Sequence, residues 1–188
     1  MPYPTTPKFT AAGVESYDPT LVSEAISGRI QSRKVGSQQW KFTASYAPLT
    51  RSEFAPVWAF LASQRGRHGI FTIILPELSA SSGNPSGTVT TSAALVGTSA
   101  VTVASLTGTL KAGDFFKFSG HDKVYMLTAD RAGAGSISFI PELVSAVGSE
   151  QLIYNDVPFT VRMANDVQSY KVGKEMLFSN EVDLVEAI

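Results

Sequence analysis

One segment with a helical pattern lies directly between two segments with the pattern of β-strands, and this order restricts the chain to few folds. From Gln39 to Tyr46 apolar and polar residues alternate, which predicts a strand with one buried face. The later segment GIFTIILP, residues 69–76, predicts a buried strand that ends at Pro76. A single helix between two such strands predicts a mainly β protein whose helix packs against a sheet.

The helix is predicted over about residues 51–65. Thr50 and Glu53 have the spacing of a capping box, and Gly66 stands where a left-handed C-terminal cap is expected. Pro56 lies within the first turns and predicts a kink or a later start. The apolar residues recur at i, i+3, i+4 and i+7 and form one stripe that we expect to be buried: Phe54, Val57, Trp58 and Leu61.

The N-terminal region has weaker signals. Residues 1–28 begin with several prolines and show no sustained period, so we expect an extended arm that contains at most a short strand or turn and that a neighbouring subunit orders. A strand at 29–35 is predicted to form a hairpin with the strand at 39–46. The outer face of that hairpin would be basic, as a solvated strand face or as a contact to an acidic partner: Arg29, Arg33, Lys34 and Lys41.

The middle of the chain differs in composition from both ends. Residues 77–156 are rich in Ser, Thr and Gly, and they predict short strands at 87–92, 99–104, 114–119, 122–129 and 135–140. The frequent turn signals suit a small antiparallel β-barrel or sandwich. We therefore predict a β-sandwich domain with the helix, formed by residues 1–76 and 157–188, and an inserted β domain formed by residues 77–156.

Composition narrows the classes of partner and chemistry. Only 16% of residues are charged, against about a quarter in a typical domain, which suits a surface partly covered by partners. A net charge of −1 predicts no broad basic face for nucleic acid. The absence of cysteine excludes disulfides, zinc–thiolate sites and cysteine catalysis. The N-terminus lacks the apolar core of a signal peptide and the run IFTIIL is short, so we expect neither Sec export nor membrane insertion.

The residues that could carry chemistry are few and scattered. His68 and His121 lie beside glycines in predicted turns, where we expect solvated side chains. A cation site formed by His121, Asp122 and Asp114 is the alternative, but Asp114 after a glycine is ordinary turn chemistry. Two loop carboxylates, Glu142 and Glu150, are expected to be solvated rather than to form a glycosidase pair.

No serine lies in a G-x-S-x-G turn, and no glycine-rich segment has the strand-to-helix setting of a phosphate loop. We therefore expect no enzymatic activity, no catalytic, metal-binding or cofactor-binding residues, and no cofactor. An exposed Phe115 would offer a surface on which a sugar stacks, but a strand buried on both faces explains Phe115, Phe116 and Phe118 better.

Three segments resemble structural proteins of tailed bacteriophages: QQWKFTASYAPLTRSEFAPVWAFLASQRGRHGIFTIILP, LKAGDFFKFSGHDKVYMLTAD, and the closing VPFTVRMANDVQSYKVG with FSNEVDLVEA. The chain is similar along nearly its whole length to distal tail proteins and their baseplate-hub relatives. This resemblance implies a tail-tube-like β-sandwich flanked by one helix, with an inserted β domain that projects outward. It also implies a virion protein, made in the host cytoplasm, that forms a ring, usually six-fold, at the distal end of the tail.

In that position the partners would be further copies of the chain, the tail tube protein, and hub or tail fibre proteins. DNA would pass through the lumen without specific binding, and no membrane would be involved. Candidate lumen residues lie on the last predicted strand: Glu181, Asp183 and Glu186. The alternatives are another tail structural protein, such as a tube, terminator or head–tail completion protein, or a carbohydrate-binding adhesin module.

Overall fold

A computed structural model describes residues 3–173 and 175–188. In this part of the chain the fold is mainly β with one α-helix, as predicted: α1 is Arg51–Ser63, and a single 3₁₀ turn is Gly66–His68. The strands are β1 Ala11–Tyr17, β2 Thr20–Glu24, β3 Ile30–Lys34, β4 Gln39–Ser45, β5 Phe71–Ile73, β6 Thr90–Thr91, β7 Ala100–Ala104, β8 Thr109–Leu110, β9 Phe115–Phe118, β10 Val124–Leu127, β11 Arg131–Ala132, β12 Gly135–Ile140, β13 Leu152–Ile153, β14 Phe159–Met163, β15 Lys171–Val172, β16 Phe178–Ser179 and β17 Glu181–Glu186.

Strands from both ends of the chain form one five-stranded antiparallel sheet in the order β1-β4-β17-β14-β5. β4 lies near its centre, and the predicted alternation is confirmed, because its apolar face is buried: Trp40, Phe42 and Ala44, followed by Tyr46. The helix packs on that apolar face, where Val57 and Leu61 are fully buried. This sheet and helix form the first hydrophobic core.

The predicted hairpin between residues 29–35 and 39–46 is wrong. β3 pairs with β2, and β4 pairs with β1 and β17 instead. The physical reason is that a buried strand needs hydrogen-bond partners along both of its edges, and β1 and β17 supply them on either side of β4. The predicted arm over residues 1–28 is corrected as well, since its described part contains two strands, β1 and β2, where at most one short strand was expected.

The residues predicted to form one basic face lie on two different elements, because β3 and β4 do not pair. Arg29, Arg33 and Lys34 belong to the β2–β3 hairpin and its turn, whereas Lys41 lies on the five-stranded sheet. There the Lys41 ammonium lies 4.1 Å from the centre of the Tyr17 ring across the β1–β4 pair. The Lys41 charge is thus paired with an aromatic ring on the surface of the sheet and does not belong to a continuous basic patch.

Both predicted helix signals are present, with a shift at the C-terminus. The backbone N–H of Thr50 donates to the Glu53 carboxylate at 2.9 Å, so the capping box is formed. The helix begins at Arg51 and runs through Pro56, so the proline does not delay its start. The first left-handed residue is Arg65, with a φ of 54°, and Gly66 follows with a φ of 65°. The chain therefore reverses one residue earlier than the glycine predicts.

The buried face of the helix is rotated relative to the predicted stripe. Phe54, Val57 and Leu61 are buried, and so is Phe60, which the spacing did not select. Trp58 is half-buried at the edge of the core, with its ring centre 4.8 Å from that of Tyr170. The prediction that Trp58 is a core residue is therefore corrected.

Trp58→Ala is expected to lower the free energy of unfolding by less than the about 3–5 kcal/mol that truncating a fully buried aromatic residue costs. The reason is that part of the indole ring already contacts water in the folded state. Leu61→Ala is the matched control on the same helix, with an expected loss of about 2–5 kcal/mol. Chemical denaturation measures both values, and a larger loss at Trp58 than at Leu61 would contradict the half-buried position.

A second sheet contains the strands of the middle region in the order β13-β9-β10-β12-β7-β6. A bridge between Thr90 and Gln151, with a hydrogen bond of 2.8 Å from Leu152 N to Val89 O, joins its two ends, so the sheet closes almost into a barrel. Each of the five strands predicted in this region contains an observed strand. The barrel encloses a second hydrophobic core that includes Phe116 and Phe139.

Two shorter ladders complete the described fold. β8 pairs with β11 beside the barrel, and β15 pairs with β16 before the last strand. The segment SEQLIYNDVPFTVRMAND, which predicts a strand pair, instead supplies β13 to the barrel and β14 to the five-stranded sheet. The exact division at residues 76/77 and 156/157 stays a prediction.

Candidate assembly surfaces

The two histidines occupy different environments. His68 is exposed at the end of the 3₁₀ turn, as predicted. The side chain of His121 is only 8% exposed, with Nε2 3.5 Å from Oε1 of Glu150 and its ring against Phe118, so the prediction of a solvated side chain is wrong. His121 lies in the turn after β9, and this turn places the imidazole against Phe118 and Glu150 of the barrel region. Glu150 is half-buried by the same contact, whereas Glu142 is exposed.

Asp114 and Asp122 do not form a joint site. Asp114 accepts hydrogen bonds from Ser82 N at 2.9 Å, Ser82 Oγ at 2.6 Å and Lys111 N at 3.1 Å, and also from Ser81 Oγ. Burial alone would raise the pKa of Asp114, but these hydrogen bonds hold it below its ordinary value. Asp114 is therefore a carboxylate that organises a turn, as predicted.

Asp122 belongs to a different contact. Its carboxylate lies 3.7 Å from Lys117 Nζ and accepts a hydrogen bond of 3.3 Å from Thr160 Oγ1. Over residues 3–173 and 175–188, no group of three or more His, Asp or Glu side chains has the geometry to hold a metal ion. The candidate functional features of the described residues are therefore the contacts between the barrel and the sheet and the exposed surfaces.

The barrel and the five-stranded sheet meet at β9 and β10, whose side chains are buried on both faces of the strands. Phe116 points into the barrel core, whereas Phe115 and Val124 belong to the core of the sheet. The ring of Phe115 lies 5.1 Å from that of Trp40 and 5.5 Å from that of Phe159, measured between ring centres. Phe115 is buried, as expected for a strand covered on both faces, and offers no platform for a sugar.

A buried ion pair lies at the centre of this junction. Lys123 and Glu186 have fully buried side chains, and the Lys123 ammonium donates to the Glu186 carboxylate. The ammonium also donates to the Gln38 backbone oxygen at 3.0 Å and to its side-chain oxygen at 2.8 Å. Glu186 accepts the backbone N–H of Trp40 at 3.2 Å and of Val124 at 3.0 Å. Burial lowers the pKa of Lys123, and the Glu186 charge opposes that effect.

This junction corrects one candidate lumen residue and shows which signal was missed. Glu186 is buried, so it does not line a lumen. Strand β17 alternates in exposure, and Glu186 lies on the same face as the buried residues Val182 and Leu184. Glu181 and Asp183 lie on the opposite, exposed face. The alternation of inward and outward side chains along β17 therefore indicated a buried position for Glu186, although a charged side chain is usually exposed to solvent.

The β2–β3 hairpin extends from the sheet with every one of its ten strand residues exposed. Most of its strand residues are polar, but the hairpin and its flanks also hold five large apolar side chains in water, each with an exposed fraction of 61% or more: Leu21, Val22, Ile26, Ile30 and Val35. An isolated two-stranded hairpin is only marginally stable in water. The hairpin is therefore a candidate contact surface.

A groove of about 480 Å³ lies at the far edge of the same sheet. Its walls are the N-terminal segment from Tyr3 to Phe9, the chain that follows β5, and the return segment around Pro158. Most of the lining is apolar, with Ile74 half exposed, and the side chains of Glu77 and Asp156 are exposed there. This groove is the second candidate contact surface.

Comparison with known proteins identifies the family. The chain is 30% identical over 175 residues to distal tail protein pb9 of Escherichia phage T5, a match that covers 87% of this chain and 85% of that protein. The chain belongs to the distal tail protein pb9 family. The predicted resemblance to distal tail proteins is thereby confirmed, and the chain is a phage tail protein with a structural role in the tail.

A second comparison concerns the middle of the chain. The model of the B domain of distal tail protein pb9 matches residues 78–157. All strands of the barrel, from β6 to β13, lie within this range. Among the described residues of this member of the distal tail protein pb9 family, no helix has both the length and the apolar character to cross a membrane.

Proposed function

We propose that the protein forms a ring at the distal end of a phage tail, where it joins the tail tube to hub or fibre proteins. The observation that carries this proposal is the exposed β2–β3 hairpin, which holds several large apolar side chains in water, in a chain of the distal tail protein pb9 family. A protein that acts as a monomer has no need of such a surface. A neighbouring copy that covers it gives the hairpin its stability.

Within this ring, residues 1–76 and 157–188 form the body, and residues 77–156 form an inserted domain that projects outward. Two separate hydrophobic cores support this division. The match of the B domain model to residues 78–157 supports it as well. The contacts of Trp40 with Phe115 and of Lys123 with Glu186 hold the two domains together.

The ring is proposed to let DNA pass without specific binding. A net charge of −1 supports this proposal, since proteins that grip the DNA backbone need clusters of Lys and Arg. Glu181 and Asp183 remain candidates for the lumen surface, because both lie on the exposed face of the sheet and would repel phosphate. Surfaces and not a reaction centre carry this function, so we propose that the protein is not an enzyme and uses no cofactor.

Position in the particle separates this function from the alternatives of a tube, terminator or head–tail completion protein. Phage particles that carry an affinity tag on this chain, imaged by electron microscopy with a tag-specific label, are expected to show the label only at the tail tip. Averaged images of the tip are expected to show the protein as a closed ring. Label along the tube or at the head would contradict the proposal, as would a protein that is monomeric in the particle.

The adhesin alternative gains no support at the position that the sequence suggested for it. The aromatic residue that would stack on a sugar, Phe115, is buried between the two cores. Glycan binding by the purified chain, without assembly into tail tips, would be the result that favours the alternative.

A further inference from the structure

The hairpin and the groove lie at the same end of the five-stranded sheet but at its opposite edges. One row of neighbouring residues crosses the sheet through Ser16, Trp40, Glu186, Val161 and Phe71. Shortly after the first of these residues the chain enters the hairpin, and shortly after the last it enters the wall of the groove. With neighbouring strands about 4.8 Å apart, the two edges are about 19 Å apart.

The hairpin exposes apolar side chains on both of its faces. The β2–β3 register places Val22 and Ile30 on one face and Leu21 on the other. In the described part of the chain, no other element buries any of these three residues. Covering both faces of such a ribbon requires a concave surface rather than a flat one, because a flat surface leaves one face in water.

The groove has the shape and charge that such a ribbon requires. Its apolar walls include Pro4, Ile74 and Pro158, and it is open to solvent. Glu77 and Asp156 are exposed in its lining, and Lys8 is the one basic residue there. The hairpin turn and β3 carry the opposite charge through Arg29 and Arg33, which form no salt bridge among the described residues. Glu24 adds one negative charge to the hairpin, which nevertheless remains basic overall, so the charge of the groove favours this pairing.

We propose that the β2–β3 hairpin of one copy lies in the groove of the next copy around the ring. This inference rests on the proposed ring and names the surfaces that form it. The contact is head-to-tail, since it joins different patches on identical subunits, and such contacts give rings when the rotation between copies closes. Both patches lie at the same end of the sheet and at opposite edges, an arrangement that is compatible with a closed ring.

The natural absence of cysteine allows a direct test with engineered pairs. Phage particles are prepared with Ile26→Cys at the hairpin tip and Ile74→Cys in the groove as the only form of the protein. Treatment with a short bifunctional thiol reagent is expected to link neighbouring copies. A denaturing gel is expected to show a ladder of covalent multimers that ends at the size of the complete ring.

Matched variants define the outcome. Either single cysteine variant is expected to give no multimer beyond a dimer, and Ile26→Cys combined with Leu95→Cys, an exposed residue of the barrel, is expected to give no ladder. If Ile74→Cys prevents assembly, Glu77→Cys, which is exposed in the same groove, replaces it.

Two results would overturn the inference in distinguishable ways. Intact rings in the particle without a ladder would reject hairpin-in-groove docking and leave the ring proposal standing. Particles in which the protein forms no ring would reject both.

Discussion

Lys123→Met is expected to lower the free energy of unfolding by about 3–5 kcal/mol, because it leaves the Glu186 carboxylate buried without its counter-charge. Glu186 retains the N–H groups of Trp40 and Val124, but two backbone donors do not neutralise a full charge in a fully buried position. The same change removes the ammonium from both oxygens of Gln38. Chemical denaturation of the variant and the natural protein measures the difference.

Two further variants separate the effect of charge from that of packing. The double variant Lys123→Met/Glu186→Gln is expected to recover most of the loss, since the amide oxygen still accepts a backbone N–H and no charge remains buried. Lys111→Met breaks the exposed pair of Lys111 with Asp130, whose nitrogen–oxygen distance is 2.7 Å, and is expected to change little. If Lys111→Met and Lys123→Met lowered the free energy of unfolding equally, burial of the Lys123–Glu186 pair would not be the cause of the effect.

Phe159→Ala is expected to lower the free energy of unfolding by about 3–5 kcal/mol through the cavity that it leaves in a fully buried position. The ring centre of Phe159 lies 4.7 Å from that of Phe42 in the sheet and 5.5 Å from that of Phe115 on the barrel strand. The truncation therefore weakens the sheet core and its contact with the barrel together.

Tryptophan fluorescence and circular dichroism distinguish these two effects. Both tryptophans belong to the sheet core, and Trp40 also contacts Phe115 of β9, so their fluorescence follows the sheet core and its junction with the barrel, whereas circular dichroism follows both cores. We expect coincident transitions in the natural protein and an earlier fluorescence transition in Phe159→Ala. Phe139→Ala, confined to the barrel core, is the matched control and is expected to give the reverse order. A loss below about 1 kcal/mol for Phe159→Ala would contradict its place in the core.

Local patterns predicted much of this fold. The alternation in β4 identified a strand with one buried face, and the spacing of Thr50 and Glu53 located the start of the helix. In the middle region, turn residues separate strands that mostly pair with near neighbours in the chain. Patterns of this kind report on the backbone within a few residues, which explains why element type and position were predicted well.

The pairing of distant strands was not predicted, because local patterns do not specify partners. β4 was paired with the strand next to it in the chain, whereas its neighbours are β1 and the C-terminal strand β17. The same limit applied to Glu186, whose partner Lys123 lies on the barrel, and to His121, which the barrel covers. The exposed hairpin and the groove could not be inferred either, since both depend on which strands form the edges of the sheet.

The double connection between barrel and sheet has a mechanical consequence. The chain crosses between them twice, and the two crossings are tied by a hydrogen bond of 2.9 Å from Val157 N to Ser79 O. A force applied to the barrel is therefore shared by two connecting segments of the chain and by the buried contact between barrel and sheet around Lys123 and Glu186. Rotation of the barrel would therefore also rotate the sheet. A barrel joined by a single flexible linker could pull on the sheet but could not turn it.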